Sequence, residues 1–244
     1  MMHIHALDTA ARIRLGGERA GAFAAALGSL WARCLVPEGT DGEEQVIGWD
    51  TDRDHLAAEL HSELTRQVTL TLIQAQVGRL LMLHAGAVCH PGTGEAIAYV
   101  APGGTGKTTL TRLLATRMGY LTDETVGLRT DGSIAAYPKP LSVRIGAHRK
   151  QEHGPDELGL LPAHPHPRLR RLALLRRDGG PVRVERLSLT EAILALAPET
   201  SSLDRLPLPL HRLAGIYDEV GGILRYSYGE ARDLAEHVWK EFGC

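Results

Sequence analysis

The sequence predicts an α/β protein with a central mixed sheet flanked by helices, and three observations lead there. Apolar runs of strand length alternate with segments of helical period along most of the chain. An apolar strand, a Gly-rich turn and an amphipathic helix follow one another from Ala98 to Ala115. Two turn clusters, Asp131-Gly132 and Asp178-Gly179-Gly180, are each flanked by short apolar runs, the pattern of β-hairpins. With 244 residues, 43% of them hydrophobic, the chain can bury one large core, or one core plus a smaller N-terminal domain.

Taken in order, Glu18 to Val36 sets Phe23, Leu27, Leu30 and Cys34 at helical spacing and predicts an amphipathic helix. Asp41 to Asp54 reads as an acidic loop with a short strand at Val46 to Trp49. In a second helix Leu56, Leu60, Leu64, Val68 and Leu72 recur every four residues, and Gly78 is its terminator. At Leu80 the period changes. Leu80 to Cys89 and Ile97 to Ala101 are strands on either side of the turn HPGTGE, as a hairpin or as neighbours. Thr108 to Arg117 is a helix ended by Gly119, and Tyr120 to Thr122 opens another strand.

Val126 to Arg129 and Ser133 to Tyr137 predict one hairpin, and Leu172 to Leu175 with Val182 to Leu187 a second. Between them, Arg149 to Arg171 carries Pro155, Pro162, Pro165 and Pro167 without sustained periodicity, so a mobile or functional loop is expected. Ser188 and Glu191 have capping-box spacing before a helix from Thr190 to Leu196. Ser227 and Glu230 have it before a helix from Glu230 to Phe242, which follows a strand at Ile223 to Tyr226. The division expected is an N-terminal helical or mixed subdomain, 1–79, and a larger domain, 80–244. No internal repeat is visible.

Charge and composition narrow the function. A formal net charge of −2 offers no global field to hold nucleic acid or an anionic membrane, and no run approaches the ~20 apolar residues of a membrane span. The first fourteen residues, with His3, His5, Asp8 and Arg12, are unlike a secretory signal. Cys34, Cys89 and Cys244 are odd in number and far apart, which suggests neither a disulfide framework nor a zinc site. His148, His153, His164 and His166 fall close together but match no zinc spacing. The expectation is a soluble cytoplasmic protein, with no nucleic-acid or membrane partner and self-association left open.

The chemistry concentrates in Ala101 to Thr109. In a strand–turn–helix context, the amides of Gly104, Thr105, Gly106, Lys107 and Thr108 can point at phosphate oxygens at a helix N-terminus, and Gly103 with Gly104 keeps the loop pliable. Lys107 supplies charge for the β- and γ-phosphates, Thr108 a hydroxyl for Mg²⁺, and Thr109 lies near the α-phosphate. The strict pattern G-x-x-x-x-G-K-[ST] is broken at its first position, which is Ala101. Asp123 and Glu124 end the strand after this helix, so one βαβ step brings an acidic pair to the phosphates. A carboxylate there can bind Mg²⁺, directly or through water, or accept a proton from an attacking hydroxyl.

LHAGAV (Leu83 to Val88), APGGTGKTT (Ala101 to Thr109), YLTDETV (Tyr120 to Val126) and YPKPLSVR (Tyr137 to Arg144) together resemble the catalytic domain of bacterial HPr kinase/phosphorylase and its shorter relatives. Some of those relatives lie in peptide-modification gene clusters, including those for lasso peptides. The resemblance spans about Leu80 to Arg144 and continues weakly to the C-terminus; the first 80 residues are unlike the N-terminal domain of the classical enzyme. It implies a phosphate-loop domain similar to phosphoenolpyruvate carboxykinase, with ATP and Mg²⁺ as cofactors. By resemblance Asp123 is the general base for a serine hydroxyl, Glu124 assists at the metal, His84 lies close to Asp123, and Lys139 and Arg144 contact anions near the γ-phosphate. The glycine-rich second signature of HPr kinases is not recognisable between Arg144 and Arg171, so phosphorolysis and HPr itself as acceptor are not expected.

The activity expected is ATP-dependent phosphorylation of a serine on a peptide or small protein. An NTP hydrolase or nucleotidyltransferase sharing the loop, or a non-catalytic nucleotide-sensing module, are the alternatives. Arg168, Arg170, Arg171, Arg176 and Arg177 would favour an acidic partner.

Overall fold

The computed structural model describes residues 1–38, 44–52, 57–145 and 149–244; His148, Leu56 and parts of the 41–54 segment lie outside them. Two units emerge, residues 1–76 with 137–159 and residues 77–136 with 160–244. The division expected at 79/80 therefore takes no account of 137–159, which cluster with the N-terminal residues.

In the first unit, β1 (Met2–Ala6) and β2 (Thr9–Gly16) form an antiparallel hairpin, and β3 (Glu44–Asp50) runs parallel to β2. The hairpin went unread because histidines and arginines occupy its outward positions, so no apolar run stands out. Its turn, Leu7-Asp8, has φ of 48° and 54°, the left-handed geometry that two-residue hairpins need. Helix α1 (Ala20–Leu30) buries Phe23 and Leu27 but stops short of the expected Val36. Helix α2 (Ala57–Ala75) buries Leu60, Leu64, Val68 and Leu72, the four-residue repeat read from the sequence. Before β4, Gly78 has φ 78°. Strands β9 (Leu141–Ile145) and β10 (Arg149–His153) pair antiparallel, and Tyr137 meets Thr69 of α2 hydroxyl to hydroxyl at 2.8 Å.

The second unit is built on β4 (Leu81–Cys89), which pairs antiparallel with β5 (Glu95–Val100) as the sequence suggested. After β5 come α3 (Lys107–Leu114), β6 (Gly119–Thr122), β7 (Thr125–Leu128) and β8 (Ile134–Ala135). The expected hairpin between β7 and β8 is present. Then follow β11 (Leu161–Pro162), β12 (Arg168–Arg177), β13 (Arg183–Arg186), α4 (Leu189–Leu196), β14 (Thr200–Ser201), α5 (Pro209–Glu219), β15 (Leu224–Tyr228) and α6 (Ala231–Phe242). The sheet runs β11-β6-β4-β5-β12-β15-β13, with β7 and β14 also paired to β4 and β8 paired to β7. It is mixed: β5, β12 and β15 are mutually parallel, as are β11 and β6, while the other pairs are antiparallel.

Both faces of β4 are covered, which is why it reads as an unbroken apolar run. Leu81, Leu83, Ala85, Ala87 and Cys89 share a core with Ala192 and Leu196 of α4 and Leu213 and Ile216 of α5. On the other face Gly86 lies under the Tyr99 ring and Thr111 of α3. Trp239 of α6 donates its ring N–H to the Leu114 carbonyl at 3.3 Å. Among the described residues no helix is long and apolar enough to cross a membrane.

Three expectations are corrected. Arg149 to Arg171 is not one loop: it contains β10, β11 and the start of β12. Exposed Arg168 and Arg170 alternate with buried Leu169 and the half-buried Arg171, so the strand's outward arginines hid its inward apolar face. Nor do Leu172–Leu175 and Val182–Leu187 form a hairpin. β15 lies between β12 and β13, parallel to the first and antiparallel to the second, because a Gly turn reverses the chain without choosing its neighbour. Ser227 does not cap α6; it sits in the β15 ladder opposite Arg176 and Arg183, and the helix begins after Glu230 without a side-chain cap. The box at Ser188 and Glu191 is formed as expected. Arg168, Arg170, Arg171 and Arg177 each face a carboxylate of the same unit, Glu219, Glu95, Glu241 and Glu230, which satisfies them locally.

A Cβ on Gly86 would lie 2.4 Å from the Tyr99 ring and 2.8 Å from the Thr111 hydroxyl. Gly86→Ala should therefore destabilise the protein by about 1–3 kcal/mol, the usual cost of overpacking a filled core. A denaturant midpoint equal to that of the unsubstituted protein would contradict this packing.

Candidate phosphate-binding site

Strand β4 changes partners on both edges over a few residues. On one edge it pairs with β6 through Ala87 and Thr122 and then with β7 from His84 and Thr125. Asp123 and Glu124 make the bend between them. On the other edge it pairs with β5 up to Ala85 and Val100, and then with β14 from Leu83 and Thr200. Chain segments thus leave and arrive around His84: the Gly-rich loop departs after Val100, and Glu199 arrives before Thr200.

The loop bears the geometry that its glycines allow. Gly104 and Gly106 have φ of 83° and 102°, values an L side chain rarely adopts. Nothing lies within 4 Å of a Cβ built on Gly103 or Gly104, so the loop's outer side is open. Ala101 is 1% exposed; its methyl fits inside where the strict pattern has glycine. The Thr105 hydroxyl donates to the Pro102 carbonyl at 2.8 Å, and the Tyr228 hydroxyl donates to the Thr105 carbonyl at 3.3 Å. Gly106 is the N-cap of α3, so the amides of Lys107, Thr108 and Thr109 are its first turn and find no acceptor within the helix. Thr109 is exposed there.

Lys107 is buried, with its ammonium turned back to donate to the Ala101 carbonyl. Burial lowers its proton affinity, and Glu199, Asp123 and Glu124, in that order, oppose the effect. Behind it, Tyr99 and Thr111 meet hydroxyl to hydroxyl at 2.6 Å, and Thr111 donates to the Lys107 carbonyl at 2.9 Å, which ties the first turn of α3 to β5.

Asp123 is 5% exposed. The Thr108 hydroxyl donates to its Oδ2 at 3.0 Å, and the Tyr120 hydroxyl to its Oδ1 at 3.4 Å. The Thr122 hydroxyl oxygen accepts from the amides of Glu124 and Thr125, both at 3.3 Å, and the Glu124 carbonyl accepts from the Ala85 amide at 3.0 Å. His84 is half-buried; burial and then Lys107 push its proton affinity down, partly offset by Glu124, Glu199 and Asp123. The second unit thus gathers Gly103 to Thr109, His84, Asp123 and Glu124. Lys139 and Arg144 belong to the first unit. There Lys139 is 2% exposed and donates to the Pro140 carbonyl at 2.9 Å, and Arg144 is exposed on β9.

Sequence reasoning missed Glu199, Tyr120 and Tyr228. No spacing relates Glu199 to the loop, since only the β14–β4 pairing brings it in; Tyr120, three residues before Asp123, was within reach of a local reading. For a magnesium ion, Thr108 and Asp123 are already in contact, so one ion could meet both oxygens. Among the described residues no group of three or more His, Cys, Asp and Glu is arranged to hold a metal.

No protein-family profile matches the chain, and no curated protein matches its sequence. Among solved structures, the HPr(Ser) kinase/phosphatase from Coxiella burnetii is similar with a TM-score of 0.35 and 10% identity, over 66% of this chain and 97% of that one. A likeness at that level by itself decides nothing about activity, and the resemblance to HPr kinase/phosphorylase remains one of short motifs.

Two outcomes test this site. Lys107→Met should weaken Mg·ATP binding about 10- to 100-fold, the usual worth of a hydrogen bond to a charged group; unchanged affinity by calorimetry would refute the loop. For His84, the native midpoint lies below the ordinary value of about 6.5. As pH falls the unfolded chain takes up the proton first, so the stability contributed by neutral His84 is complete above about 6.5 and is lost as pH drops through the native midpoint. NMR titration of the imidazole should show this depression, and Lys107→Met should lessen it.

Proposed function

We propose that the protein is a Mg²⁺- and ATP-dependent kinase that transfers the γ-phosphate to a serine hydroxyl of a peptide or small protein, with Asp123 as general base. The observation that carries the reading is a buried carboxylate whose one oxygen accepts the hydroxyl of the loop's own Thr108 at 3.0 Å. Phosphoryl transfer asks little covalent chemistry of a protein: it needs the phosphates neutralised, the acceptor placed in line and its proton removed. Lys107 and the first amides of α3 meet the first need. Asp123 accepts the Thr108 hydroxyl beside the loop, and a carboxylate there would suit the third.

Magnesium would be held by Thr108 and Asp123, with Glu124 beside them, and would supply charge neutralisation at the β- and γ-oxygens. His84, kept neutral by burial and by Lys107, adds no positive charge and can accept or relay a proton. Serine as the acceptor residue follows from the motif resemblance, as does its carrier being a peptide or small protein.

Asp123→Asn preserves shape and removes the base. Nucleotide should still bind, while phosphorylation of a serine acceptor, followed by mass spectrometry at saturating nucleotide, should fall roughly 10²- to 10⁴-fold. Near-normal transfer at every Mg²⁺ concentration would sink the mechanism. Recovery at high Mg²⁺ would leave Asp123 with the metal-holding role alone and remove it as the base. Free phosphate without acceptor modification would instead mark a hydrolase, and nucleotide recovered unchanged a sensing module.

A further inference from the structure

Tyr228 reaches the Gly-rich loop from two strands away. On the parallel strands β5, β12 and β15, Val100 lies opposite Leu174 and Leu174 opposite Arg225. Tyr228 comes three residues later on β15, roughly 10 Å past the end of β5 at the usual rise of a strand. There its hydroxyl donates to the Thr105 carbonyl at 3.3 Å. The end of β15 is pinned in turn. Tyr228 pairs with Arg177, its carbonyl accepts the Asp178 amide at 3.0 Å, and Arg177 donates to the Gly229 carbonyl at 2.9 Å. Tyr228 is 1% exposed, so its ring has little room to leave.

A trans peptide sets its C=O and N–H in opposite directions. With the Thr105 carbonyl held towards Tyr228, the Gly106 N–H points away from it. The Pro102 carbonyl accepts both the amide and the hydroxyl of Thr105, at 3.3 and 2.8 Å, and the Ala101 carbonyl accepts the Lys107 ammonium. These loop carbonyls are therefore engaged, while the amides of Gly104 and Gly106 meet no acceptor among the described residues. We propose that Tyr228 is a positioning residue for a polyphosphate: its hydroxyl holds the Thr105–Gly106 peptide in the orientation that turns the Gly106 N–H to a phosphate oxygen. This rests on the nucleotide-binding reading of the loop. Gly106, at φ 102° and without a Cβ, lets that peptide turn over at little steric cost. A half-turn would put the Thr105 carbonyl oxygen where the amide was, and an oxygen there repels a phosphate. Tyr228 adds to affinity by fixing the orientation in advance, acting through Gly106 and not on the reacting atoms.

Tyr228→Phe keeps the ring and removes the donor. By calorimetry it should bind Mg·ATP, Mg·ADP and inorganic tripolyphosphate about three- to tenfold more weakly, the scale of one hydrogen bond, and by a similar factor for all three because the effect lies at the phosphates. A ligand-free readout separates positioning from packing. By NMR the Thr105 carbonyl-carbon signal should move upfield in Tyr228→Phe, together with the Gly106 amide, while the signals of β12 and β13 stay in place. Unchanged affinity or an unmoved Thr105 signal overturns the proposal, as does weaker binding accompanied by shifts spread through β12 and β13, which would mark a packing role. If the unsubstituted protein binds none of the three ligands, the loop reading and this proposal fall together, whereas equal binding by the unsubstituted protein and Tyr228→Phe overturns this proposal alone.

Discussion

The backbone ladder of β4 is the constraint on which the site depends. A strand that changes partners on both edges at nearly the same residue risks stranding amides and carbonyls inside the protein, and buried backbone groups almost always find partners. Here the local sequence supplies them. At the Asp123–Glu124 bend, Thr122 turns its hydroxyl oxygen to the amides of Glu124 and Thr125, and the Glu124 carbonyl takes the Ala85 amide. The strand carries on through the bend in constant register, Ala87 opposite Thr122 and His84 opposite Thr125. Asp123 is thereby displayed at a fixed point without a break in the sheet.

The same strand controls the phosphate loop through its other face. Gly86 leaves room for the Tyr99 ring, the Tyr99 hydroxyl meets Thr111, and Thr111 bonds the Lys107 carbonyl. A missing side chain on β4 thus sets the distance between β5 and α3, and with it the position of the helix end that bears Lys107 and Thr108. Precision at such a site comes from a supporting shell of locked side chains more than from the loop itself. The glycines of the loop permit its path; the Tyr99–Thr111 contact selects it.

Much of this was legible in the sequence, and the boundary between what was and what was not is physical. The loop, α3, the acidic pair, β4 with β5 and the α2 repeat all announce themselves through local patterns: glycines at positive φ, an apolar run buried on two faces, a leucine every fourth residue. β12 did not, because arginines on its outward positions satisfy carboxylates at the surface and break the apolar signal. The β12–β15–β13 order was equally hidden, since a turn specifies reversal but not the edge on which the strand settles. Glu199 was invisible for the same reason: its place beside His84 comes from a two-residue strand pairing far along the chain, and two residues carry no period.

Lys107, His84 and the carboxylates around them are arranged in electrostatic tension. Lys107 is desolvated and bonded to a carbonyl of its own loop, with three carboxylates opposing the loss of its charge. His84 is desolvated too and held neutral next to that ammonium. A buried ammonium hydrogen-bonded to one carbonyl is tolerated rather than optimal, and on the proposed reading phosphates would satisfy it better, since they offer more oxygens in charge-assisted geometry. On the proposed reading, a polyphosphate would relieve this cluster of desolvated charge.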